Sequence, residues 1–177
     1  MIGLAAGSVA HDAAEPRLGD LFEAHHRRLY GLARRLVSSS DEARDLVQDT
    51  FLRAARAPQS VPWGMPSEEA WLVRVLINLC RDRWRQRAAQ RRRQAAGADV
   101  ELAGSGRTCE SAVIAKSVVW KALRELPPRR RAVIVLHELD GHSVMDVAAL
   151  LGIARVTVRW HLSTGRRELS RIIKDKG

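Results

Sequence analysis

Apolar residues recur at intervals of three and four along nearly the whole chain, and no segment alternates apolar with polar. Leu21, His25, Leu29, Leu32 and Leu36 trace one stripe, and Ala43, Leu46, Val47, Thr50, Phe51 and Ala54 trace another. Residues three and four apart share a face of a helix, whereas a half-buried strand needs a period of two. The expected fold class is therefore all-α. With 177 residues, the chain can build one domain of ordinary size or two small helical ones.

The interruptions favour two domains. Ser39 and Glu42 have the spacing of a capping box, which places a helix start there and makes residues 37–40 a turn between antiparallel helices. Three prolines and a glycine in residues 58–67 impose a loop before a helix from about Glu68 to about Ala89. Residues 88–107 turn to Arg, Gln, Ala and Gly, with too few large apolar side chains for a core. This divides the chain into a disordered tail (1–18), an N-terminal helical domain (19–89), a flexible linker (90–107) and a C-terminal domain (108–177). In the latter a helix from about Cys109 stops at Pro127, and Pro128 suits the first position of the next, which ends at Asp140 and Gly141. Two helices follow, 144–151 and 155 to about 173, separated by Gly152, Ile153 and Ala154.

The formal charge of +10 is unevenly spread: residues 1–72 hold eight basic and ten acidic side chains, so the rest carries +12. Such asymmetry points to a polyanionic partner. No apolar run approaches the roughly 20 residues that span a bilayer, so no membrane insertion is expected and the protein is read as cytoplasmic. Cys80 and Cys109 both fall in helical patterns and suggest neither a disulfide framework nor a zinc knuckle. His137 and His142, five apart across a glycine turn, miss the four-residue spacing of a helical metal pair. No metal, cofactor or catalytic residue is expected.

Residues 143–165 have the parts of a helix-turn-helix. Val144, Ala148 and Leu151 form an inward face, Gly152 permits the turn, and Ile153, Val158 and Leu162 anchor the second helix. The opposite face then presents Arg155, Val156, Thr157, Arg159, Trp160, Ser163, Arg166 and Arg167, the first of them placed for base edges and the later arginines for phosphates.

Two further polar stripes lie in the N-terminal half. Asp45, Asp49, Leu52 and Arg56 follow at helical steps opposite Leu46, Val47 and Phe51, an acidic stripe with an exposed leucine that suits a basic protein surface better than DNA. Arg74, Asn78, Arg81 and Arg85 form a cationic stripe, with Leu72, Val75, Leu76 and Leu79 expected on the core side. Eight arginines and one acidic residue, Asp82, lie between Arg74 and Arg93, with Trp71 and Trp84 within or beside them. Arginine mixed with aromatic side chains holds separated nucleic-acid strands through phosphate contact and base stacking.

The order of these parts resembles the extracytoplasmic-function sigma factors of bacterial RNA polymerase, within the sigma-70 family. Residues 41–54, Asp-Glu-Ala-Arg-Asp-Leu-Val-Gln-Asp-Thr-Phe-Leu-Arg-Ala, look like the family's polymerase-clamp helix; residues 71–84, Trp-Leu-Val-Arg-Val-Leu-Ile-Asn-Leu-Cys-Arg-Asp-Arg-Trp, look like its −10-element helix. Residues 126–136 and 151–159 resemble its C-terminal domain. The resemblance implies a region-2-like bundle joined by a flexible linker to a region-4-like helix-turn-helix, and a transcription initiation factor that is not itself an enzyme. It implies that Asp45, Gln48, Asp49 and Leu52 bind core RNA polymerase through its β′ and β subunits, and that Arg74, Asn78, Arg81, Arg85 and Trp84 engage the −10 strand. It further implies that residues 58–67 hold a flipped base, that the second helix of the helix-turn-helix reads the −35 element of promoter DNA, and that an anti-sigma factor exists.

Met145-Asp146, Val156 and Trp160 depart from the family's usual two acidic residues, glycine and small polar residue. The rival reading is a free-standing helix-turn-helix regulator that binds duplex DNA without polymerase. A nuclease or recombinase finds no cluster of metal-binding carboxylates or placed nucleophile in its support.

Overall fold

The computed structural model describes residues 14–95 and 111–175. The tail before residue 14, residues 96–107 of the expected linker, and Cys109 lie outside the described residues. The described residues form α-helices without strands, in two compact units.

In the N-terminal unit α1 (Ala14–Leu36) and α2 (Ser40–Arg56) pack together as a helical hairpin. Both apolar stripes face inward: Leu29, Leu36, Leu46, Val47 and Ala54 are buried, and the rings of Phe22 and Phe51 lie 4.9 Å apart. His25 and Thr50 complete the stripes as buried polar members, and Thr50 Oγ1 donates to the Leu46 carbonyl at 2.7 Å. Ser39 caps α2, its hydroxyl accepting the Glu42 N–H at 3.1 Å. Ser39→Ala strands that donor and is expected to lower stability by about 1 kcal/mol in urea denaturation.

Three boundaries differ from expectation. α1 starts at Ala14, so residues 14–18 are helical rather than tail. A 3₁₀ turn (Pro58–Ser60) follows α2, and α3 (Met65–Ala95) begins before Glu68 and runs through residues 90–95, expected to be linker. The composition there lacks core-forming side chains, but Arg, Gln and Ala are strong helix formers and continue a helix already nucleated upstream.

The buried face of α3 also differs. Leu72 and Leu76 are buried as expected, but Val73, Ile77 and Cys80 accompany them, whereas Val75 and Leu79 are only half-buried. With eight apolar residues from Trp71 to Cys80, composition alone could not choose among overlapping stripes about 100° apart.

In the C-terminal unit, α4 (Ser111–Glu125) ends before Pro127, and Pro128 opens α5 (Pro128–Ile134). The buried Arg131 donates to the carbonyls of Leu126, at 3.0 Å, and Arg124, satisfying the end of α4. α5 runs into a single π turn (Val135–Leu139), after which Gly141 at φ +73° reverses the chain. His137 Nδ1 lies 2.7 Å from the His142 carbonyl across this turn, so the histidine pair closes a loop.

Helices α6 (Val144–Leu151) and α7 (Arg155–Lys174) follow. Val147, Ala148 and Leu151 are buried on α6; Val144, expected inward, is half-buried, and Val147 replaces it at the centre of the face. On α7, Val158 and Leu162 are buried as anchors, while Ile153 is half-buried. Gly152 has φ +61°, a backbone state that costs glycine little, and the Ile153 N–H then bonds to the Ala148 carbonyl at 3.0 Å. Gly165 lets α7 approach α5: a Cβ there would lie 3.0 Å from Ile134 Cδ1.

Candidate nucleic-acid and protein interfaces

The outward face of α7 follows from burial of its opposite side. With Val158 and Leu162 inward, Arg155, Val156, Arg159, Trp160, Ser163, Arg166 and Arg167 are exposed and Thr157 is half-exposed. Val156 is 69% exposed and Trp160 54% exposed, too much for either to be an anchor of the core. Sequence periodicity therefore assigns this face correctly, but not its internal contacts.

Arg166 is engaged by Glu138, from the π turn, at 2.9 and 2.5 Å. Such an exposed pair contributes little to stability. Arg130 of α5 holds Glu168 with one nitrogen 2.6 Å from both carboxylate oxygens, and its guanidinium carbon lies 5.2 Å from the Trp160 ring centroid. Arg130 was not singled out from the sequence; it occupies a different helix and meets Trp160 only after folding.

His161 lies beside this group, its ring 4.8 Å from that of Trp160. Its Nδ1 is buried and has no hydrogen-bond partner among the described residues. Burial, followed by the positive charges of Arg130 and Arg129, holds its pKa below the ordinary 6.5. The unfolded chain takes up a proton near pH 6.5 while the folded one resists until lower pH, so the stability from a neutral His161 is fully present above about 6.5 and declines as pH falls below it. Unfolding midpoints are expected to drop between pH 7.5 and 5.5, with a shallower drop in His161→Gln.

Helix α6 is held by a reciprocal cap that sequence reasoning missed. Ser143 Oγ accepts the Asp146 N–H at 3.1 Å, while Asp146 Oδ2 accepts from the Ser143 N–H at 3.1 Å and hydroxyl at 2.7 Å. The hydrogen bond from the Ser143 side chain, followed by that from its backbone, lowers the Asp146 pKa from the ordinary carboxylate value. The signal was the Ser-Val-Met-Asp spacing just before an apolar run. Asp146, the acidic member of the Met145-Asp146 pair, thus has a structural use.

On α2, Asp45, Gln48 and Leu52 are exposed, Asp49 is half-exposed, and Arg56 is exposed at the end of the stripe. Beside them α1 and α2 form an open apolar groove of ≈ 680 Å³, lined by Phe22, His26, Val47, Gln48, Phe51 and Leu52. Phe22 is 44% and Leu52 41% exposed, so the face combines carboxylates with accessible apolar surface. Phe22 and His26 were not among the sequence candidates, because their part in the groove depends on how α1 meets α2.

On α3, Arg74, Asn78, Arg81 and Trp84 are half-buried and Arg85 is exposed. The spacing of Arg74, Asn78, Arg81 and Arg85 keeps these four on one side of the helix, away from Leu72 and Leu76, whereas Trp84, four residues after the buried Cys80, follows the stripe of Val73, Ile77 and Cys80. Arg81 Nε lies 3.5 Å from Asp82, partly balancing one charge. No helix among the described residues is long and apolar enough to cross a membrane.

Among the described residues these features define an all-helical protein with a helix-turn-helix, an arginine-lined helix, and a mixed acidic and apolar face. Sigma-70 region 2 matches residues 21–90, and Sigma-70, region 4 matches residues 117–169. The chain belongs to the extracytoplasmic-function group of the sigma-70 family. It is 34% identical to the ECF RNA polymerase sigma factor SigM of Mycobacterium tuberculosis over 93% of this chain and 81% of that protein. It is 30% identical to the ECF RNA polymerase sigma factor SigL of the same species, over 97% of this chain and 96% of the other. Among solved structures, the sigma factor RpoE in complex with the anti-sigma factor NepR from Bartonella quintana is similar, with a TM-score of 0.60, 28% identity and coverage of 90% of this chain and 96% of that one. CnrH in complex with the cytosolic domain of CnrY shares the fold at a TM-score of 0.61 and 24% identity, over 96% of each chain. The protein is an alternative sigma factor that directs promoter recognition, DNA melting and transcription initiation with RNA polymerase; the region 2 match removes the free-standing regulator as an account of the whole chain.

Proposed function

We propose that the work of initiation is divided among three surfaces of this chain. Asp45, Gln48, Asp49 and Leu52 bind core RNA polymerase, with β′ and β as the contacted subunits and the groove beside Phe22 supplying apolar burial. Arg74, Asn78, Arg81, Arg85 and Trp84 hold the non-template strand of the −10 element, and residues 58–67 receive an unpaired base. Arg155, Val156, Thr157, Arg159, Trp160, Ser163, Arg166 and Arg167 read and grip the −35 element.

The observation that carries this reading is the separation of chemistries in the N-terminal half of the sequence: α2 exposes carboxylates and a leucine, whereas α3 presents arginines and an asparagine. An acidic apolar face repels DNA and suits a basic protein surface; arginine beside tryptophan suits an open strand. Region 2 is assigned to residues 19–89 with a helical extension before and after it, and region 4 to residues 108–177. Chemistry belongs to the polymerase, so the chain acts by binding, in the cytoplasm, and needs no cofactor. The anti-sigma factor in the complex with the Bartonella quintana sigma factor supports the existence of such a partner here.

Pull-down of core RNA polymerase by the purified protein, followed by run-off transcription from a genomic library, tests the reading. Stable binding and new specific transcripts are expected; DNA binding without polymerase binding would defeat the assignment of α2. Within the complex, Asn78→Ala is expected to reduce permanganate reactivity of the opened region severalfold while duplex binding is largely kept. An unchanged footprint removes Asn78 from the −10 surface.

A further inference from the structure

Arg17 sits in the first turns of α1, ahead of the stretch matched by region 2, yet its side chain spans to the connection between α2 and α3. Its guanidinium donates to the carbonyls of Pro58 at 3.3 Å, Val61 at 2.9 Å and Pro62 at 2.9 Å. Glu68, at the other end of the connection, places a carboxylate oxygen 3.9 Å away. The guanidinium carbon lies 3.6 Å from the centroid of the Trp63 ring, as a cation stacked on an aromatic face.

The backbone around Trp63 is tied on both sides. Val61 is buried as a plug before it, and Gly64, at φ +95°, turns the chain after it and offers its carbonyl to the N–H groups of Ser67 and Glu68. Between these ties Trp63 stands 78% exposed. One face of the indole rests on a guanidinium while most of its surface meets solvent. A large exposed aromatic held this firmly is poorly explained by core packing, to which it contributes little.

We propose that Arg17 is a positioning residue for the strand-capturing connection: by bonding three of its carbonyls and backing Trp63, it holds the free face of the indole ready to stack an unpaired base of single-stranded DNA. This rests on the reading that residues 58–67 receive such a base. Arg17 itself touches backbone and indole, not DNA. Its effect is to order the connection before binding, so that the strand need not supply the ordering entropy. Sequence preference at this position is weak, because every base offers a stacking face. The segment before the region 2 match thereby becomes part of the promoter-opening machinery.

The test uses reconstituted holoenzyme and non-template single-stranded oligonucleotides carrying 2-aminopurine at successive positions. Stacking quenches the probe, so one position is expected to brighten, and its strand to bind about tenfold more weakly, in Trp63→Ala. Arg17→Ala is expected to reproduce both changes at that same position, Arg17→Lys to give a smaller change, and the double variant to be no worse than Trp63→Ala alone, because the two residues act as a unit. If no position responds to Trp63→Ala, the connection does not stack a base there, and the underlying reading falls together with the proposal. If Trp63→Ala responds and neither Arg17 variant does, or if the Arg17 and Trp63 effects add in full, the positioning role alone is overturned. Should Arg17→Ala fail to assemble with core polymerase, Arg17→Lys is read by the same criteria, since it keeps the charge but lacks the planar fork that reaches three carbonyls.

Discussion

Replacing Asp45 and Asp49 together by arginine is expected to weaken binding of core RNA polymerase at least about a hundredfold, because like charges juxtaposed across an interface cost several kcal/mol. Both carboxylates reach solvent from α2, on the side opposite the buried Leu46 and Val47, so the change adds no charge to the core. Asp45→Arg alone is expected to give roughly a tenfold loss, about 1.4 kcal/mol. Titration of labelled protein with core polymerase measures both, and an unchanged far-ultraviolet circular dichroism spectrum confirms that α2 is intact. Unchanged affinity in the double variant would take the polymerase contact off this helix.

Arg159→Ala is expected to cost about 1 to 3 kcal/mol in recognition of the upstream promoter element, a loss of roughly five- to 150-fold, if the guanidinium makes a bidentate contact with a base. Arg159 is exposed on α7 next to the buried anchor Val158, so truncation removes a contact without disturbing the core. Competition between the cognate element and scrambled duplexes separates two outcomes. Loss confined to the cognate sequence assigns Arg159 to a base edge; equal loss on all duplexes assigns it to a phosphate and leaves direct readout to its exposed neighbours Arg155, Val156 and Trp160.

The helices of this chain were legible because their signals are local. Ser39 before an acidic first turn, Pro128 at a first helical position and Gly152 between two apolar runs each describe what the backbone must do within a few residues. The outward face of α7 was legible for a related reason: Val158 and Leu162 leave only one side for the charged residues. Where apolar residues were crowded, as from Trp71 to Cys80, periodicity admitted more than one stripe, and packing selected Val73 and Ile77 over Val75 and Leu79. The far end of α3 escaped for the opposite reason, since its Arg-, Gln- and Ala-rich segment carries helix propensity but no stripe.

Helix type, turn positions and the sign of charge on each helical face depend on residues within one or two turns of each other, and those could be read from the chain alone. The partnerships that shape the surfaces join residues tens of positions apart: Arg17 with Pro62 and Trp63, Phe22 with Phe51, Arg130 with Glu168 and Trp160. No spacing rule predicts which side chains meet across such distances. They are chosen by how the helices pack, where close contact within a unit decides which arginine backs an indole and which pair of faces leaves a groove open.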